Sequence, residues 1–135
     1  FEPGQLMGVV QFERKHSDFR DQDVSGGLYT LRYGQQPVDG AHVGTSPTRD
    51  FVLLVPAKGD KSRKPMAYEE MVKASAEVAG SSHPALFSLQ RIKGDGPIRH
   101  VEEKDWWIAR LKGTGRVGDE KKPIVLDLVV YGQGE

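Results

Sequence analysis

The chain contains no cysteine and no asparagine. The first absence excludes a disulfide frame, thiolate catalysis and cysteine-based zinc sites. The second excludes N-linked glycosylation and leaves the turns to glycine, aspartate, serine and proline. Net charge is missing too, because 19 Lys and Arg residues balance 19 Asp and Glu. A nucleic-acid binder needs a basic surplus to displace counterions, so nucleic acid is not an expected partner. The densest basic run, KGDKSRKP (Lys58 to Pro65), is short and free of aromatics and reads as a solvated loop. No apolar run approaches the length of a membrane span, so no integral membrane segment is expected.

What is present suits one globular domain over residues 1–135, with 37% hydrophobic and 28% charged residues. Sixteen glycines and eight prolines punctuate short apolar runs, as in a β-rich domain. LMGVVQF reads as a strand with Leu6, Gly8, Val10 and Phe12 on one face, and LYTLRY alternates in the same way. DFVLLVPA is apolar throughout, which places it centrally in a sheet with both faces covered. In PMAYEEMVKASAEVAG the period changes: Tyr68, Met71, Val72, Ser75 and Val78 recur at helical spacing. Pro65 suits the first helical position and Gly80 the C-terminal cap. HPALFSLQRI reads as a strand, and VEEKDWWIARLKG with PIVLDLVVYG as a long hairpin joined by TGRVGDEKK. The expected fold is mainly β: an antiparallel, jelly-roll-like β-sandwich with one α-helix around residues 65–79, packed on an edge or across an open end.

Few motifs carry chemistry. GTGRVG (Gly113 to Gly118) has dinucleotide-binding spacing, but a second strand follows it where such a site needs a helix. Trp106 and Trp107 are neighbours on a strand, so one enters the core and the other faces away, where it could stack on a sugar or anchor a partner. His16, His42, His83 and His100 lack the close spacing of a helical metal motif. No cofactor is expected; a divalent metal would rest on His42 and His83 brought together by folding, without support from spacing. No nucleophile elbow is present.

QQPVDGAHVGTSPTRDF (Gln35 to Phe51) is far longer than a tight hairpin needs. Asp39, Thr45, Ser46 and Thr48 can brace such a loop, and Gly40 and Gly44 can turn it. Ordered polar loops at the end of a β-fold are where binding sites concentrate. The candidate ligand-binding residues are therefore Asp39, His42, Thr45, Ser46, Arg49, Asp50, His83 and Trp106, with no catalytic residue assigned.

GVVQFER, GLYTLRY with the loop DGAHVGTSPTRDF, and SSHPALFSL after the helix together resemble an uncharacterised group of exported bacterial β-domain proteins. In that group a G-x-YTLRY strand precedes a D-G-x-H-x-G-x-S/T-P-x-R-D-F loop. The resemblance spans Gly8 to about Leu89; the hairpin from Arg99 onward lies outside it. It implies a β-fold, export to the periplasm or beyond with the signal peptide removed, and natural residues upstream of Phe1, but no activity. The expected function is a non-catalytic binding or structural module with a protein or carbohydrate partner and scope for edge-strand oligomers. The alternative is a small metal-assisted hydrolase or lyase using His42, His83 and an aspartate.

Overall fold

A computed structural model describes residues 2–35, 50–117 and 119–134. Within them the strands are β1 (Leu6–Phe12), β2 (His16–Ser17), β3 (Asp23–Val24), β4 (Gly27–Gln35), β5 (Asp50–Pro56), β6 (Leu86–Gln90), β7 (Ile98–Val101), β8 (Trp106–Val117) and β9 (Glu120–Tyr131). A 3-10 turn, Ala57–Gly59, and one helix, α1 (Tyr68–Ala79), separate β5 from β6. Seven strands form one antiparallel sheet in the order β1-β4-β5-β6-β9-β8-β7, and β2 pairs only with β3. The chain is mainly β, as its patterning predicts.

β5 lies between β4 and β6, and Phe51 to Val55 are all buried. Alternation sorts its side chains. Val52 and Leu54 join Tyr29, Leu31, Phe87 and Leu128 on one face, while Phe51, Leu53 and Val55 join Ile108 and Val129 on the other. The first face closes on itself. β1 and β6 are three strand steps apart, roughly 14 Å in a flat sheet. Yet the Phe12 and Phe87 rings, one from each, have centroids 6.0 Å apart. The sheet is therefore strongly curled, an arrangement compatible with a sandwich although its strands run on as one sheet.

α1 covers the second face. Met71, 0% exposed, packs with Phe51, Leu53 and Val55, so the helix lies over the central strand and not on an edge. It begins at Tyr68, three residues after Pro65, and ends where the sequence indicates: Gly80 takes φ 63° and donates to the Ala76 and Glu77 carbonyls. Two strand expectations also change. A bulge between Leu6 and Gly8 brings Met7, with Val10 and Phe12, onto the curled face. The β8–β9 ladder continues to Val117 opposite Glu120, so GTGRVG is ladder up to Val117 and opens no helix.

Two buried carboxylates pin this architecture. Arg32 is fully buried on the α1 side of the sheet, where the 57–67 connector and Gly4 close over it. All five of its donors are used: Nε and Nη2 bond Asp60, Nη2 also bonds the Ser62 carbonyl, and Nη1 bonds the carbonyls of Gly4 and Lys64. Thr30 donates to the same Asp60 at 2.6 Å. Asp127, 1% exposed, accepts from Arg110 Nε at 2.8 Å and from Arg99, locking β7, β8 and β9 together. Hydrogen bonds from Arg32 hold the Asp60 carboxyl below its ordinary value of 3.8. Burial alone would push Asp127 up, but the bonds from Arg110 and Arg99 outweigh it and hold Asp127 low as well.

Breaking a buried pair leaves an uncompensated charge. Arg32→Ala is therefore expected to cost about 3–5 kcal/mol, read as a lower urea midpoint. Both carboxyls are depressed in the native state, so the unfolded chain binds more protons at low pH. Their contribution is complete above about pH 4 and is lost as pH falls through the folded values. The urea midpoint of Asp60→Asn should consequently fall less steeply than that of the parent as pH is lowered through about 4 to 2.

Candidate functional site

A cleft of about 200 Å³ opens between α1 and the ends of β4, β5 and β6. Its floor comes from the α1-covered face of the sheet: Gly34 and Phe51 are register partners, as are Leu53 and Leu86. Tyr68 and Val72, one helical turn apart, form the wall. Arg20, Gln35, His83 and Pro84 stand at the rim. Gly34 keeps the floor open, since a Cβ there would lie 2.8 Å from Leu53 Cδ1 and 3.7 Å from Met71 Cε.

Asp18 sets the rim. Its Oδ1 accepts from the backbone N–H groups of Arg20 (2.9 Å) and Gln22 (2.7 Å), and its Oδ2 from Gln22 Nε2 and the Leu86 N–H. This carboxylate, 1% exposed, thus ties the 18–22 turn to the start of β6. Gln22 extends the tie by donating to the Pro84 carbonyl at 3.1 Å and accepting from Ser81 Oγ at 2.5 Å. Arg20 and His83 are brought to one opening as a result. Both are exposed. Among the described residues no carboxylate bonds the Arg20 guanidinium, and no acidic side chain lines the cleft.

Of the sequence-predicted residues, His83 borders this cleft. Asp50 does not: it lies on the curled face with Val52 and Leu54, where it accepts from the hydroxyl of Tyr33 and from Gln35. Asp39, His42, Thr45, Ser46 and Arg49 lie outside the described residues, which contain the two ends of their loop, Gln35 and Asp50. Trp106 is 3% exposed and packs edge-on against Phe19, with Nε1 donating to the Gln133 carbonyl at 2.9 Å. That burial removes it as a stacking surface. The outward tryptophan is Trp107, 43% exposed. Sequence reasoning missed Arg20 and Asp18, which lie in the charged run ERKHSDFRDQD (Glu13 to Asp23). The available signal was Phe19 and Val24, two apolar residues among charges, which prove to be buried.

Chemically the cleft has an apolar floor, a guanidinium and an imidazole. Among the described residues no group of three His, Asp or Glu side chains could hold a metal ion. No protein-family model, no curated protein and no solved structure matches the chain, which is consistent with an uncharacterised family.

Asp18→Ala would strip the partners from three backbone N–H groups at once. It should lower stability by about 2–4 kcal/mol in urea unfolding. A change below half a kcal/mol would mean that this carboxylate does not fasten the rim.

Proposed function

We propose that the chain is a non-catalytic binding module of an exported bacterial protein and that the cleft beside α1 takes a small amphipathic anion. The observation that carries this is an apolar cleft of about 200 Å³ in which, among the described residues, the one strong charge is the Arg20 guanidinium, bonded by no described carboxylate. An engineered cavity of about 150 Å³ holds benzene, so one ring or one branched chain fits the volume. A carboxylate on that group would meet Arg20 in a bidentate, charge-assisted bond, with His83 and the Tyr68 hydroxyl alongside. Export rests on the resemblance over Gly8 to Leu89. A larger partner, protein or carbohydrate, is part of the same reading, with β1 and β7 as the sheet edges where another chain could add a strand. The hydrolase reading would need His42 beside His83 and rests on residue types alone.

Phenylacetate, 2-phenylethanol and phenethylamine share a ring and differ in charge. Amide NMR titration should place phenylacetate at Val72 and Leu86, bound at least tenfold more tightly than the other two, with the preference lost in Arg20→Ala. Equal affinity for all three would refute an anion site. Fractionating cells that express the full-length product should place it in the periplasm or the medium; a cytosolic pool alone would refute export.

A further inference from the structure

The curl of the sheet covers β4, β5, β6 and β9 on their inner face but stops short of β7 and β8. On the uncovered part, His100 pairs with Trp107 and Trp107 with Tyr131 across three successive strands, with a bulge after Trp107, which puts the three in one cross-strand row. Tyr131 is 58% exposed and Ile98, one row along, is 61% exposed. Large aromatics normally go inside, and here two lie in a row outside.

The indole of this row is held in place. The His100 ring stacks on the Trp107 indole with centroids 4.4 Å apart and planes at 17°. Its Nε2 donates to Asp105 Oδ1 at 2.8 Å. Asp105 sits in the β7–β8 turn at φ 52°, a left-handed conformation unusual for a residue with a side chain. One indole face is therefore covered and fixed, and the exposed area of Trp107 is its other face and edge. A ligand that stacks there finds the ring already oriented, which saves the entropy of ordering it.

Beside this row runs a groove of about 570 Å³ that Tyr131 shares. Its charges balance in number, Lys15 and Lys104 against Asp18 and Asp105. Lys15 is further matched by Asp23 at 3.6 Å, and the Asp18 oxygens are taken up by the 18–22 turn and β6. The lining thus carries no net formal charge with His16 neutral. The remaining groups, the Ser17 and Tyr131 hydroxyls and the Gln133 amide, both donate and accept. Exposed, preoriented rings next to a neutral groove of mixed donors and acceptors match one ligand chemistry: a ring with apolar C–H faces and a rim of hydroxyls.

We propose that this face binds neutral carbohydrate, with Trp107 and Tyr131 stacking on pyranose rings and the groove hydrogen-bonding their hydroxyls. His100 and Asp105 act as positioning residues for the indole. The proposal rests on the same reading of the chain as a binding module, but it uses none of the cleft's residues, so either site can fail alone.

Affinity electrophoresis of the full chain through gels containing hydroxyethyl cellulose, glycol chitin, xylan or soluble starch tests it. At least one polysaccharide should retard the protein, and matching oligosaccharides should shift its tryptophan emission. Trp107→Ala and Tyr131→Ala should each weaken retardation tenfold or more, and Trp107→Phe should restore part of it, because a ring returns without the indole. Both positions are exposed, so the variants should keep the parent's thermal midpoint; if Trp107→Ala unfolds, Tyr131→Ala decides alone. No retardation on any of the four polymers overturns the proposal, as does retardation unchanged in both alanine variants. A native-mass dimer lost in Trp107→Ala, without retardation of the parent, would instead assign the face to a second copy of the chain.

Discussion

A sheet with apolar side chains on both faces has to be covered twice, and the described residues hold one α-helix to do it with. The solution is asymmetric. One face curls until Phe12 reaches Phe87, so the sheet serves as its own lid. The other takes α1 and the connector leading into it. The connector carries few apolar residues of its own, so it is held by a charge: the Arg32 guanidinium spends its bonds on Asp60, Ser62, Lys64 and Gly4, residues from both sides of the sheet's first strands. A buried ion pair is rarely a net gain over well-packed hydrocarbon, but it accepts only one geometry. Here that geometry fixes the path into the helix, and through Tyr68 and Val72 the wall of the cleft.

Asp18, Asp60 and Asp127 play the same structural part in three places. Each is almost fully buried, and each binds segments remote in sequence: the 18–22 turn to β6, β4 to the connector, and β7 to β8 and β9. Asp18 differs in having backbone amides and a side-chain amide as partners in place of a cation. Consequently the Asp18 bonds that assemble the rim of the cleft do not use the Arg20 guanidinium.

Much of this was legible in the amino-acid order. The unbroken apolar run DFVLLVPA marks the central strand, the switch to helical spacing marks α1, and Gly80 marks its end. The adjacent tryptophans divide between inside and outside as alternation requires, although which one goes inside depends on the sheet's curl and on Gly132, where a Cβ would strike Trp106 Cδ1 at 2.5 Å. Arg32 was illegible for a definite reason. A charge at an alternating strand position normally marks a wet face, and only the cover supplied by the 57–67 connector and Gly4 makes this position interior. Asp127 is hidden by the same logic, its two arginines lying 28 and 17 positions away. The candidate site was half visible: His83 stands at an opening, but the guanidinium that gives the opening its character comes from a stretch that looked merely hydrophilic.

The long β8–β9 ladder carries one more implication. β7 and β6 flank it only near Trp106 to Ala109 and at Asp127 and Leu128, and beyond that root Lys112 to Thr114 and Glu120 to Pro123 are exposed. The outer ribbon is thus uncoupled from the interior that fixes the rest of the molecule. Mutational drift, insertion or deletion at that end would leave the packing untouched, so in descendants of this chain the ribbon is where sequence and length are free to diverge first.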